Sequence, residues 1–188
     1  MAIHLIVAES SNGKLTKGTL VALAAAQKLS GEIHGLVLGQ NVESVANELS
    51  QYVPKVHCTN HAGLEHRLAQ PYAKVIADIA GQIAASHVWA AASVAGKDVM
   101  PRVAARLNAA MASDIQDVVS ENSFKRPMWA GNVIGTVELT TATKVITVRT
   151  TEFEPANEQP GDEVVTVDVD PGESKMQYVG FDAVESDR

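Results

Sequence analysis

Short apolar segments alternate with helical patterns over the first hundred residues. Branched aliphatic residues dominate four segments, which predict strands at residues 3–8, 33–38, 55–59 and 87–91. Apolar residues recur at helical spacing after three of these strands, and residues 42–49 predict a further, short helix. We expect the first helix to end near Gly31, and Pro71 and Pro101 to lie in the first turns of later helices. Consecutive strand–helix units of this kind predict an α/β fold with a mostly parallel sheet.

The pattern changes after Asp114. Three apolar segments, at residues 124–128, 133–139 and 145–149, follow one another too closely to be joined by crossover helices. They predict a C-terminal antiparallel hairpin region, with turns at residues 130–132 and 140–143. We therefore place a first domain at residues 1–150 and an acidic linker or tail at residues 151–188.

Two segments of that tail have apolar residues of their own. Residues 164–169 alternate apolar and polar side chains and predict one last strand, and residues 178–181 are apolar with little around them to cover them. We expect the tail to be ordered only where these two segments find a surface to pack on.

Charge is distributed unevenly, which limits the classes of partner. Residues 1–150 carry 13 Lys and Arg against 11 Asp and Glu, whereas residues 151–188 carry 2 against 11. A clustered basic surface for nucleic acid is not predicted. The longest mostly apolar stretch, residues 83–96, is shorter than the ~20 residues of a membrane span. The N-terminal residues lack the pattern of a signal or transit peptide, so we expect a cytoplasmic location rather than a mitochondrial one.

Few residues predict chemistry of their own. The turns after the strands at 3–8 and 87–91 lack the glycine spacing of a phosphate-binding loop, and Asp98 is interpreted as a helix cap. The spacing of His57, His61 and His66 matches no standard metal site. The single cysteine, Cys58, is interpreted as a small core residue. Asp114 and Asp117 are interpreted as solvated loop residues, so we predict no catalytic residue and no metal site.

One segment favours a contact surface. Residues 125–132, KRPMWAGN, place two cations and a tryptophan beside a tight turn, a composition enriched at protein interfaces. Arg126, Trp129 and Asn132 are the candidate partner-contacting residues, with Arg102 as a further candidate. Composition alone slightly favours a different interpretation, a hairpin whose tryptophan is buried.

Three segments together resemble one known family. Residues 92–107 (ASVAGKDVMPRVAARL), 113–115 (SDI) and 126–132 (RPMWAGN) are similar to the alpha subunit of electron-transfer flavoproteins, and the likeness spans essentially the whole chain. The family usually has tyrosine where Trp129 stands. The resemblance implies a Rossmann-like three-layer sandwich of the adenine-nucleotide-hydrolase-like type, without a nucleotide of its own.

The resemblance also implies a function. Proteins of this family are heterodimers of alpha and beta subunits that carry electrons from acyl-CoA and other dehydrogenases to a quinone oxidoreductase. FAD is held mostly by a C-terminal alpha-subunit domain that has no counterpart in this sequence, and AMP is held by the beta subunit. We therefore expect an N-terminal alpha-subunit domain, in a fragment rather than a naturally short homologue. It would be an electron-carrier scaffold without a catalytic site or cofactor of its own.

An alternative function remains open at this point. A free-standing adenine-nucleotide-binding domain of the same fold superfamily would hold its ligand between the carboxyl ends of the strands at residues 3–8 and 87–91.

Overall fold

The fold is built on a seven-stranded sheet whose neighbouring strands are all parallel. The structure, a computed structural model, describes residues 1–159, 161, 163–180 and 182. The sheet has the order β12-β5-β4-β1-β6-β11-β7, and β10-β9-β8 form a small antiparallel sheet. The strands are β1 Ile3–Val7, β2 Ser10–Ser11, β3 Lys14–Leu15, β4 Glu32–Gly39, β5 Lys55–Asn60, β6 His87–Ala91, β7 Ala110–Ile115, β8 Asp117–Val118, β9 Ser123–Met128, β10 Val133–Glu138, β11 Lys144–Val148 and β12 Glu163–Thr166. The helices are α1 Lys17–Ala26, α2 Glu43–Leu49, α3 Ala69–Gln82 and α4 Val94–Leu107, with short 3₁₀ turns at Ala62–Leu64 and Trp129–Gly131.

Helices cover both faces of the sheet and produce three layers. Successive residues of a strand point to opposite faces, so Leu5 and Ile6 of β1 enter two separate apolar clusters. One cluster contains residues of α1 and α2, and the other contains residues of α3 and α4. The predicted α/β fold with a Rossmann-like three-layer sandwich is confirmed.

The chain crosses from β7 to β11 without a helix. The small sheet β8–β10 takes the place of a crossover helix, and the chain then re-enters the large sheet between β6 and β7. The prediction that residues 145–149 pair antiparallel is therefore wrong, because β11 is parallel to both neighbours. The antiparallel pairing of β9 with β10 is confirmed.

Two predicted helix boundaries also differ. The helix α1 ends at Ala26, several residues before Gly31. The helix α4 begins at Val94 with Ser93 as its cap, so Pro101 lies in the helix interior and not in its first turn. Pro71 does lie in the first turn of α3, as predicted.

The acidic tail packs against the edge of the sheet. The predicted last strand is confirmed as β12, which pairs with β5, and Lys55 Nζ donates to Glu163 Oε1 at 2.8 Å. Farther along, the ring of Tyr178 stacks on His66 with centroids 3.9 Å apart. Phe181, at the end of the predicted apolar segment, lies outside the described residues, as do residues 183–188. The division into a domain at residues 1–150 and a tail at residues 151–188 stays a prediction. The strand β12 belongs to the predicted tail but is part of the large sheet.

Candidate functional site

The carboxyl ends of β1 and β6 meet where the strand order reverses. From β1 the chain builds outward through β4 and β5, and β6 then returns to the other side of β1. In open parallel sheets, ligands bind in the crevice at this switch point. It is also the position that the nucleotide-binding alternative requires.

Side chains of the protein fill that crevice. Ser93 Oγ donates to Glu9 Oε1 at 2.6 Å and accepts from the Gly96 amide at 2.9 Å, which caps α4. A pocket of about 20 Å³ lies beside them, and a neighbouring pocket at the carboxyl ends of β1 and β4 has about 220 Å³, whereas small-molecule pockets hold about 300–1,000 Å³. The prediction that Asp98 caps this helix is wrong, because Ser93 does so and Asp98 pairs with Arg102.

A larger cavity lies at the carboxyl ends of β7 and β11. Its volume is about 520 Å³. The lining residues come from both strands and from the β9–β10 hairpin: Asp114, Arg126, Pro127, Met128, Trp129, Ala130, Gly131 and Arg149.

An ion pair forms the floor of this cavity. Arg149 Nη2 donates to Asp114 Oδ2 at 2.6 Å. The backbone of Asp114 has φ 58° beside a register irregularity between β7 and β11, and its amide donates to Thr147 Oγ1 at 2.9 Å. The hydrogen bond from Arg149 holds the pKa of Asp114 below its ordinary value, with the charges of Lys97 and Arg126 adding to it. The interpretation of Asp114 as a solvated loop residue is therefore wrong.

Asp117 is also paired. Its two carboxylate oxygens accept from Lys28 Nζ at 3.0 Å and Lys125 Nζ at 3.2 Å. The hydrogen bond from Lys28 is the main cause that lowers the pKa of Asp117. Asp117 thus joins the small antiparallel sheet to the turn after α1 and is not a free loop residue.

Arg126 lines the same cavity as the ion pair. The strand β9 carries it, and Gly135 of β10 lies across from it in the ladder. Its Nε is buried and has no hydrogen-bond partner, the one such side-chain nitrogen or oxygen among the described residues. A buried N–H without an acceptor is unfavourable, so this atom marks a place where an acceptor is missing.

The turn of the hairpin presents a tryptophan to solvent. Trp129 is 81% exposed, and both Trp129 and Ala130 have left-handed backbone, with φ 52° and 55°. The predicted hairpin is confirmed, whereas the interpretation with a buried tryptophan is wrong. Met128, Val133 and Ile134 are exposed on the same hairpin, so we call Met128, Trp129, Val133 and Ile134 the hairpin patch.

The structure brings together three of the four candidate contact residues. Arg126 and Trp129 line the cavity, and the exposed Asn132 closes the same turn, its amide donating to the Trp129 carbonyl at 3.2 Å. Arg102 does not line the cavity. It lies on α4, half-exposed, and pairs with Asp98 at 3.3 Å.

The three neighbouring histidines of the sequence do not converge. His57 Nε2 lies 3.0 Å from His34 Nδ1, His61 Nδ1 accepts from the Gly63 amide, and His66 stacks on Tyr178. Among the residues described, no group of three or more His, Cys, Asp or Glu side chains is arranged to hold a metal ion. Cys58 is buried in an apolar cluster, as interpreted, and burial raises the pKa of its thiol.

Sequence reasoning missed Asp114 and Arg149 as site residues. Arg149 directly follows a buried strand, a position that faces the ligand-binding edge whenever the strand belongs to a parallel sheet. The assignment of residues 145–149 to an antiparallel region removed that signal.

Comparison with known proteins gives a consistent family. The family model described as "Electron transfer flavoprotein domain" matches residues 4–172. The electron transfer flavoprotein subunit alpha of Pseudomonas aeruginosa is 42% identical over 191 residues, covering 100% of this chain and 61% of that protein. That of Paracoccus denitrificans is 36% identical over 189 residues, covering 98% of this chain and 60% of that protein. The mitochondrial alpha subunit of Dictyostelium discoideum is 39% identical over 160 residues, covering 81% and 45%.

This chain is shorter than those relatives. The chain spans about three fifths of the length of the first two relatives. Within the described part of the chain, none of the helices has the length and apolar character needed to cross a bilayer.

Proposed function

Because the chain belongs to the electron transfer flavoprotein domain family, we propose that it is the scaffold domain of an alpha subunit and binds a beta subunit through the hairpin patch and the adjoining cavity. The named relatives are alpha subunits, which supports the electron-transfer role. In this proposal, the assembled heterodimer accepts electrons from acyl-CoA and other dehydrogenases and delivers them to a quinone oxidoreductase.

The redox chemistry belongs to FAD, which we propose is held outside this domain. The pockets at the switch-point crevice have about 20 and 220 Å³ and do not fit the adenine nucleotide half of FAD. The residues of this chain then bind and orient the other parts of the complex. AMP in the beta subunit and the cytoplasmic location stay predictions.

The exposure of Trp129 is the observation that carries the proposal. A large aromatic side chain at 81% exposure gains nothing from the folded chain, and its left-handed backbone is disfavoured for a residue with a Cβ. Exposed aromatic residues surrounded by other apolar side chains are typical of interface hot spots. Docking of a partner would cover the hairpin patch.

Binding of the purified 188-residue chain to an electron-transfer flavoprotein beta subunit tests the proposal. We expect complex formation by isothermal titration calorimetry. Replacement of Trp129 by alanine should weaken it about thirty-fold, the effect of losing an interface anchor worth ~2 kcal/mol. Val119→Ala removes an exposed side chain beside β9, outside the cavity, and should leave the affinity unchanged. Equal affinities for the two variants would contradict a contact at Trp129.

The nucleotide-binding alternative has its own test. A ligand that binds only the folded chain raises the melting temperature. Because Glu9 and Ser93 are hydrogen-bonded to each other in the switch-point crevice and the pockets there have only about 20 and 220 Å³, we expect millimolar AMP or ATP to leave the melting temperature unchanged. A rise of several degrees would favour the free-standing nucleotide-binding domain instead.

A further inference from the structure

The cavity beside the hairpin patch has an excess of positive charge. Arg126 and Arg149 line it together with one carboxylate, Asp114. Asp114 is hydrogen-bonded to Arg149, so the charge of Arg126 has no hydrogen-bonded counter-ion among the residues that the structure describes. Lys97 adds a positive charge near enough to contribute to the lowered pKa of Asp114.

One nitrogen of the Arg126 side chain is also shielded from solvent. Its Nε–H is buried without an acceptor. Guanidinium groups commonly bind carboxylates in a bidentate manner, through two parallel N–H donors. A carboxylate entering the cavity would pair the charge of the guanidinium group, which lines the cavity, and would offer acceptors to its N–H donors.

We propose that this cavity binds one carboxylate, carried by an acidic side chain of the beta subunit that docks on the hairpin patch, with Arg126 as its main donor. This inference rests on the proposed function and names the chemistry of the partner at that site. The partner segment therefore carries an Asp or Glu beside apolar residues, because Trp129 both lines the cavity and extends the apolar surface outside it.

The charge balance favours a carboxylate over a free phosphate. The lining residues sum to one positive charge, which a single carboxylate neutralises. A phosphate dianion would bring a second negative charge into a cavity that already contains Asp114, and like charges at short range repel.

Calorimetry with the purified beta subunit and Arg126→Gln tests this inference. The variant removes the charge and leaves a shorter, neutral amide side chain. We expect affinity to fall about thirty-fold, as when one partner of a buried charged hydrogen bond is removed, and the salt dependence of binding to decrease. Arg106→Gln is the matched control, because Arg106 is exposed on α4 and is not among the residues that line the cavity. It should bind like the unmodified chain.

Circular dichroism first establishes that each variant is folded. Should Arg126→Gln unfold, Arg126→Lys keeps the charge but has no Nε–H, and it should also weaken binding. Failure of the unmodified chain to bind the beta subunit would overturn the proposed function and this inference with it. If Trp129→Ala weakened binding while Arg126→Gln bound as tightly as Arg106→Gln, only the inference would be overturned.

Inorganic phosphate is the second probe. The chain has two tryptophans, Trp89 buried and Trp129 exposed, so the indole resonances distinguish the cavity from the core. We expect no saturable shift of the Trp129 resonance below millimolar phosphate. A saturable shift in that range, lost in Arg126→Gln, would assign the cavity to a free anion and overturn the assignment to a partner carboxylate.

Discussion

The switch-point crevice and the hairpin cavity lie along the same edge of the sheet, and they differ in what fills them. In the crevice, Glu9 and Ser93 are hydrogen-bonded to each other, and the pockets there have about 20 and 220 Å³. The cavity has about 520 Å³ and an arginine with an unpaired buried N–H. At the usual ligand position of the fold, polar side chains of the chain are thus bonded to each other. The side chains available to another molecule, Arg126 and Trp129, lie beside β7 and β11.

The comparison separates fold from function. A switch-point crevice exists in every sheet of this topology, but it binds a ligand only when the residues after its strands leave space and donors there. Here those donors are used within the chain. The hairpin, inserted where a crossover helix usually stands, provides the residues available for another molecule.

The largest expected effect is a loss of stability when Gly96, which lies beside the switch-point crevice, is replaced. A Cβ at Gly96 would collide with the Ala91 carbonyl oxygen, so Gly96→Ala should lower the free energy of unfolding by about 3 kcal/mol. Gly81→Ala is the control, because nothing lies within 4 Å of its Cβ position in α3, and it should be neutral or slightly stabilising. Urea denaturation measures both. Equal stability of the two variants would show that the crevice is not tightly packed.

Acid should destabilise the chain through His87, which begins β6. This residue lies at the amino-terminal edge of the sheet, opposite the crevice and the cavity. Burial lowers the pKa of His87 to about 4 from 6.5, and the charges of His4 and Lys144 add to this. The unfolded chain therefore binds the proton first as pH falls, so the stability contribution is complete above pH 6.5 and is lost towards pH 4. By this linkage, His87 alone accounts for a loss of about 2 kcal/mol between pH 7.5 and 5.

The variant His87→Gln isolates that contribution. Its free energy of unfolding should fall less than that of the unmodified chain between pH 7.5 and 5, because it lacks the group that titrates. Urea denaturation at the two pH values measures the difference. Parallel pH profiles would rule out His87 as the responsible group.

In the open cavity, the Asp114–Arg149 pair predicts a smaller effect. Asparagine tolerates the left-handed backbone of Asp114, so Asp114→Asn removes the charge without adding strain. We expect a loss of about 1 kcal/mol at pH 7. Since the pKa of Asp114 is lowered, its contribution is complete above the ordinary value of 3.8 and is lost only at lower pH.

Asp98→Asn is the control for that substitution. The Asp98–Arg102 pair is about half-exposed on both sides, so its loss should change stability by less than about 0.5 kcal/mol. Chemical denaturation at pH 7 and pH 5 checks both variants. A loss for Asp114→Asn that disappears already at pH 5 would contradict the lowered pKa.

The hairpin turn predicts the smallest effect, with the opposite sign. Glycine relieves the left-handed backbone at Ala130, φ 55°, and Ala130→Gly should stabilise the chain by about 0.5 kcal/mol. Ala142→Gly is the control. Ala142 is exposed in a turn and has no positive φ, so this substitution should lower the stability of the chain. If both variants were destabilised equally, the turn would carry no strain.

Local patterns were sufficient for most of the fold. Strands and helices of the first hundred residues follow from apolar periodicity, and the β9–β10 hairpin follows from the Gly131–Asn132 turn. The helix ends were less predictable, because Ser93 and not Asp98 caps α4. Composition also drew attention to the segment that carries Arg126, Trp129 and Asn132, since cations and aromatic residues are enriched at interfaces, although composition alone slightly favoured a buried tryptophan.

The sequence by itself determined most of the strands, apart from β7, the helices of the first hundred residues and the turn that carries the tryptophan, because those properties depend on neighbours a few residues apart. Tertiary structure decided the direction of β11, the exposure of Trp129 and the meeting of Asp114 with Arg149, which are 35 residues apart. Strand direction, burial and ion pairing depend on which distant segments pack together. Because β8–β10 stand where a crossover helix usually precedes a parallel strand, no local sequence pattern indicated that β11 is parallel to its neighbours.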